Sequence, residues 1–326
     1  MRLPALLLCL AAAAPALALA QAQDLPLVSA TPVALDPADP ALSGVGKLSY
    51  RGGLVLESAD PRFGGWSDLL LEAGGARLVA VSDLGAWMTA ALTWDEQGRL
   101  AGFAPTGFGQ LADPEGRPLE GKVEGDAEGL TTAAEGGYLV SFEQRHRLWR
   151  YTPDLAAPAV DAKMPMAVQG LEPGLGHAGM EALARLPDGT LLVFLEGAPG
   201  EGGTLGFRRG KAAWRPLPYL RQEAFDVVGA AAHENGALLV LERHWTQATG
   251  SRSRLRFFSA AQVGDALLQD GQLLGELAPP LTVDNFEGVA VTTAPDGALR
   301  VLLLSDDNFN KGQQRTLLLA FELALD

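Results

Sequence analysis

Residues 179–197 read GMEALARLPDGTLLVFLEG: an acid behind a small residue, a short apolar run, an Asp-Gly turn, a second apolar run and a second acid. Asp-Gly or Asn-Gly between short apolar runs is the strongest local sign of a β-hairpin. The unit recurs at 128–143 around Glu135-Gly136-Gly137, at 225–242 around Glu234-Asn235-Gly236, at 285–306 around Pro295-Asp296-Gly297 and at 66–83 around Ala73-Gly74-Gly75. A weaker copy spans 43–57 around Arg51-Gly52-Gly53. Further strands are expected after most second acids, at 87–94, 147–151, 204–207, 254–258 and 316–323, with fourth strands at 99–103 and 212–217.

Each unit is thus an antiparallel sheet of three or four strands that cannot bury both faces alone. Units of roughly 50 residues of this kind stack radially as propeller blades. The copies predict an all-β, six-bladed β-propeller as a single domain over 21–326, with residues 27–35 adding an outer strand to the last blade. A β-sandwich with chance turns explains the pattern less well, because the acids repeat together with the turns.

The composition agrees: 326 residues, 48% hydrophobic and 20% charged with 39 glycines describe a globular chain that is not mostly helical. Net charge −14 argues against nucleic acid and anionic membrane surfaces, and leaves cations, or substrates carried with cations, as partners. It also serves solubility. The first twenty residues, MRLPALLLCLAAAAPALALA, have the basic start, apolar centre and Ala-Leu-Ala end of a secretory signal cleaved after Ala20. A periplasmic or secreted monomer is expected, with a small-molecule substrate and no membrane span. The one cysteine, Cys9, lies in the signal, so the mature chain has no thiolate chemistry and no disulfide.

In a propeller the innermost strands surround the axis, so equivalent positions converge. Glu128, Glu181, Asp226 and Glu287, at the starts of first strands, are expected to form a ring of carboxylates. Crowded acids raise one another's pKa or recruit a cation, and an all-oxygen set suits calcium. Asp83, Glu143, Glu196, Glu242 and Asp306, ending second strands, form a second set at a channel mouth. Arg145, His146, Arg243 and Asn308 stand beside these acids, where they either hold a phosphate or carboxylate or join neighbouring blades by salt bridges. Single acids at strand ends otherwise cap backbone N–H groups in solvent. No nucleophile elbow, zincin helix, P-loop or EF-hand loop occurs. His146, His177, His233 and His244 each read as surface or core residues before catalytic bases.

The segments FGGWSDLLLEAGGARLVAVSDLG (63–85), GDAEGL (125–130), SFEQRHRLWRY (141–151), GMEALARLPDGTLLVFLEG (179–197), LLVLERHW (238–245) and the run from Asp284 to Leu323 together resemble the bacterial phytase-like family, labelled "esterase-like activity of phytase". The resemblance implies an exported propeller with calcium-dependent phosphoester chemistry. It implies Asp83, Glu128, Glu181, Glu287 and Asp306 as metal ligands, and Arg145 and Arg243 as anion contacts. Two positions depart from the pattern: Asp226-Val227 replaces Glu-Gly or Glu-Ala, and Leu84 stands where members commonly carry arginine. A non-catalytic propeller with structural calcium, and a lactonase- or esterase-type calcium propeller, are the alternative readings.

Overall fold

A computed structural model of the protein describes residues 25–162, 179–200, 203–210 and 213–323. The expected signal segment and His177 lie outside the described residues. The chain opens with β1 (Val28–Pro32), β2 (Gly44–Val45) and β3 (Leu48–Ser58). Four four-stranded antiparallel sheets follow in order. The first is β4 (Trp66–Glu72), β5 (Arg77–Ser82), β6 (Ala86–Trp94) and β7 (Leu100–Gln110). After the short helix α1 (Gly121–Gly125) come β8 (Ala127–Thr132), β9 (Tyr138–Phe142), β10 (Arg147–Tyr151) and β11 (Val160–Ala162). The third holds β12 (Met180–Arg185), β13 (Leu191–Gly200), β14 (Gly203–Arg209) and β15 (Trp214–Pro216). The fourth is β16 (Asp226–Ala232), β17 (Leu238–Thr246), β18 (Gly250–Phe258) and β19 (Gln272–Leu277), with helix α2 (Ala260–Val263) between its last strands. The chain ends with β20 (Asn285–Thr293), β21 (Leu299–Asp306) and β22 (Thr316–Leu323).

The propeller has five blades, not six. The weak copy at 43–57 does not make a sheet of its own. Its strand β3 pairs with β22, Leu56 opposite Thr316, and β1 pairs on the outer side of β3. One hairpin without two further strands cannot cover a neighbouring blade, whereas the last three strands need an outer edge. The two ends of the chain therefore share the fifth blade and close the ring. The outer strand expected from 27–35 is present as β1, with β3 between it and the C-terminal strands.

The core lies between blades. Five apolar clusters each join strands of adjacent sheets, such as Val81, Leu130, Phe142 and Tyr151 between the first and second, and Ala184, Phe194, Val227 and Val240 between the third and fourth. The hairpins close as read from sequence: Gly189 N–H donates to the Leu186 carbonyl and Leu186 N–H to that of Thr190, a type I turn with a bulge.

Each innermost strand carries a β-bulge at the same place. The ladder skips Ser67, Glu128, Glu181, Val228 and Glu287. A bulge re-aims the side chain of the skipped residue, so these are the equivalent axial positions. The residue after each bulge is small in four blades because the next inner strand lies against it; a Cβ on Gly229 would come 2.4 Å from the Glu287 carbonyl oxygen. The first blade places Asp68 there instead. Its carboxylate accepts N–H bonds from Leu69 at 2.8 Å and from Leu130 of the second blade at 2.7 Å, and a third from Val289 of the fifth. Asp68 is a pin joining three blades. Asp68→Ala leaves buried N–H groups without partners and is expected to cost about 1–3 kcal/mol in denaturant unfolding, with Asp68→Asn losing less.

Candidate functional site

The bulge register sorts the predicted acids. Glu128, Glu181 and Glu287 occupy equivalent skipped positions, as expected. Asp226 does not; Val228 holds that position in the fourth blade, and Asp226 lies two residues earlier in an ion pair with Arg221. Positions equivalent to Asp226 are Gly65, Asp126, Gly179 and Asn285, which brings in Asp126, a residue not picked out from sequence. Counting back from the bulge acid in GDAEGL would have found it.

The ends of the second strands form a further ring of Asp83, Glu143, Glu196, Arg243 and Asp306. Glu242 is not a member. It precedes the ring position by one residue, and alternation along a strand turns its side chain to the opposite face. There it is fully buried: Oε1 accepts from the Tyr219 hydroxyl at 2.8 Å, and Oε2 accepts from Arg254 Nε at 2.6 Å and Arg256 Nε at 2.9 Å. Glu242 therefore joins strands as a structural ion pair, and Arg243 replaces an acid in the ring.

Asp126, Glu128 and Glu143 each bring a carboxylate oxygen within 4.8 Å of the others, the one such cluster among the described residues. Asp126 is 0% exposed; its Oδ1 lies 3.2 Å from Lys122 Nζ as an ion pair, and its Oδ2 accepts no hydrogen bond. Asp83, from the first blade, extends the group: Oδ2 accepts from Lys122 Nζ at 3.1 Å, while its buried Oδ1 has no hydrogen-bond partner. Gly65 makes room for it, since its φ is +64° and a Cβ there would lie 2.1 Å from Asp83 Oδ1. An all-oxygen donor set with buried, unbonded lone pairs fits a hard divalent cation.

The other half of the ring is bonded internally. Arg243 donates to Glu196 Oε1 at 2.9 Å, to Asn285 Oδ1 at 2.7 Å and to Glu287 Oε1. Asn285 Nδ2 donates to the same Glu287 oxygen at 3.0 Å and to Asp306 Oδ2 at 3.4 Å.

Electrostatics follow from burial and crowding. Burial, then Asp126 and Glu287, raises Glu128 well above the carboxylate range; burial, then Glu128 and Glu196, does the same to Glu181. Burial raises Asp83 against the opposing charge of Lys122. Burial raises Glu287 too, although Arg243 opposes it. Asp306 is pushed up to about 9 by burial and by Glu287. Burial lowers His146, which sits in the turn after Glu143.

A cleft of about 1560 Å³ opens beside the ring, lined among others by Arg243, Trp245, Asn285, Glu287, Asp307 and Asn308. Arg145 stands outside it, exposed and paired with Glu124 of α1. His233 bonds Thr293 at 2.9 Å near a hairpin turn, and His244 Nδ1 lies 2.8 Å from the Ala224 carbonyl oxygen. Among the described residues no helix is long and apolar enough to cross a membrane.

A five-bladed propeller with an acidic ring at one mouth and a cleft beside it defines the class of protein. A family model, Phytase-like: Esterase-like activity of phytase, matches residues 61–309, and the chain belongs to that family. No curated protein matches the chain. An α-L-arabinofuranosidase from Podospora anserina is similar at 11% identity and TM-score 0.49, covering 86% of this chain and 98% of that one. A protein of unknown function from Dyadobacter fermentans is similar at 12% and 0.44, covering 92% and 95%, and a virginiamycin B lyase from Staphylococcus aureus at 9% and 0.42, covering 91% and 100%. Likeness at this level carries no activity to this chain.

Proposed function

We propose that the protein, exported after loss of residues 1–20, is a calcium-dependent hydrolase of small phosphate esters. The observation that carries this reading is the Asp126 carboxylate, fully buried beside Glu128 and Glu143, whose Oδ2 accepts no hydrogen bond and whose Oδ1 meets only the Lys122 ammonium at 3.2 Å. Asp83, Asp126, Glu128 and Glu143 would hold the ion. When bound, it would draw the anionic ester to itself and acidify a water. The charge balance supports the link between ion and substrate, because an anion entering a cleft whose lining includes Asp284, Glu287 and Asp307 meets repulsion unless a cation accompanies it.

The chain's own residues supply position and proton transfer. Arg243 and Asn285 fix Glu287, and both bonds fall on Oε1. Oε2 of Glu287 is assigned to take the proton of the attacking water, and the cleft beside it receives the ester. Glu287→Gln is expected to lower kcat about 100-fold while calcium affinity by titration calorimetry changes only a few-fold. Unchanged kcat removes Glu287 from the reaction.

The Glu196–Arg243–Glu287 clamp favours a second reading, in which the ion only ties blades together. Assay of the calcium-loaded protein on phosphate monoesters and diesters, carboxylic esters and lactones separates the two. Phosphate release that stops on chelation supports the phosphoesterase, turnover of lactones or carboxylic esters alone moves the substrate class, and no turnover of any with calcium bound supports the structural ion.

A further inference from the structure

Lys122 projects from α1, in the connection between the first and second blades. Its Nζ lies 3.1 Å from Asp83 Oδ2 and 3.2 Å from Asp126 Oδ1, while the side chain as a whole is 53% exposed. The charged tip thus meets the acid cluster while about half of the side chain is exposed, so the tip can leave by rotation of its own side chain. The backbone is held independently: Arg145 pairs with the Glu124 side chain, Arg147 donates to the Glu124 carbonyl, and Gly125 packs so closely that a Cβ would come 2.6 Å from the Leu84 carbonyl carbon.

We propose that Lys122 is a built-in cation that a divalent metal ion must displace from between Asp83 and Asp126, so that this one residue sets the affinity of the site. The inference rests on the metal reading above. One ammonium does not match four carboxylates: Asp83 Oδ1 and Asp126 Oδ2 accept no hydrogen bond with Lys122 in place. A divalent ion brings twice the charge to the same oxygens and cannot share them with an ammonium a few ångströms away, because like charges at that distance repel strongly in a buried setting. A monovalent ion gains no charge by the exchange.

The test uses the full mature chain, wild type and Lys122→Met, titrated with calcium chloride alone by calorimetry after chelation. Removal of the competitor is expected to tighten calcium binding by roughly tenfold or more and to lower the Tm of the chelated protein. Equal or weaker calcium affinity in Lys122→Met, with wild type binding normally, overturns the role of Lys122 and leaves the metal site intact. Failure of both proteins to bind calcium overturns the metal reading, and this inference with it. Should the variant not fold, reductive methylation of the wild type decides: the Lys122 amine is expected to react more slowly in chelated protein than with calcium, and equal rates overturn the exchange.

Discussion

Chelation of the protein is expected to lower its Tm by about 5 °C at pH 8, and millimolar calcium is expected to restore it. An ion bound only by the folded state at about a hundred times its dissociation constant contributes about 2.7 kcal/mol, which for a domain of this size is a shift of a few degrees. The effect is expected to depend on pH in a defined direction. Burial and crowding raise Glu128, Glu181, Glu287, Asp83 and Asp306, the last to about 9. A carboxyl raised on folding binds more protons folded than unfolded. Its contribution is complete below the unfolded value near 4 and is lost as pH rises through the folded value. The chelated protein should therefore be more stable at pH 5 than at pH 8. Calcium, which binds the ionised form, should flatten that slope. Thermal scans with and without chelator across this range check both statements. A chelated protein equally stable at pH 5 and pH 8 would show that the ring tolerates its own charge without a cation.

Glu242→Ala is expected to be among the most damaging single substitutions, at about 3–5 kcal/mol or roughly 5–8 °C in Tm. It strips the carboxylate from between Arg254 and Arg256, whose side chains are 4% and 7% exposed. Arg256 retains only the neutral Gly271 carbonyl and Gln222 side chain, whereas Arg254 keeps an ion pair with the exposed Glu223 at 3.3 Å and the face of Phe225 at 3.8 Å. Breaking a buried pair leaves an uncompensated charge, so the double variant Glu242→Ala/Arg256→Met should be less destabilised than the sum of the single variants. Denaturant unfolding checks this. Calcium affinity of the folded Glu242→Ala protein should stay at the wild-type level; a large loss would return Glu242 to the metal site.

The sequence by itself determined the repeating hairpin, the all-β propeller and the family, because Asp-Gly turns between apolar runs are local signals that survive in one dimension. It also supplied Glu128, Glu181 and Glu287, whose positions just before a small residue follow from the crowding of inner strands at the axis. The blade number needed the tertiary structure, since whether a weak copy such as 43–57 becomes a sheet or an edge depends on what the far end of the chain leaves unpaired. The membership of the second ring needed it as well. Alternation along β17 turns Glu242 and Arg243 to opposite faces, and only the pairing of Arg243 with Asp226 shows which of the two enters the ring. Asp126 and Lys122 came from the same source: they meet Asp83 only because the connection between two blades folds back over the channel mouth, a contact between residues about forty positions apart that no local pattern encodes.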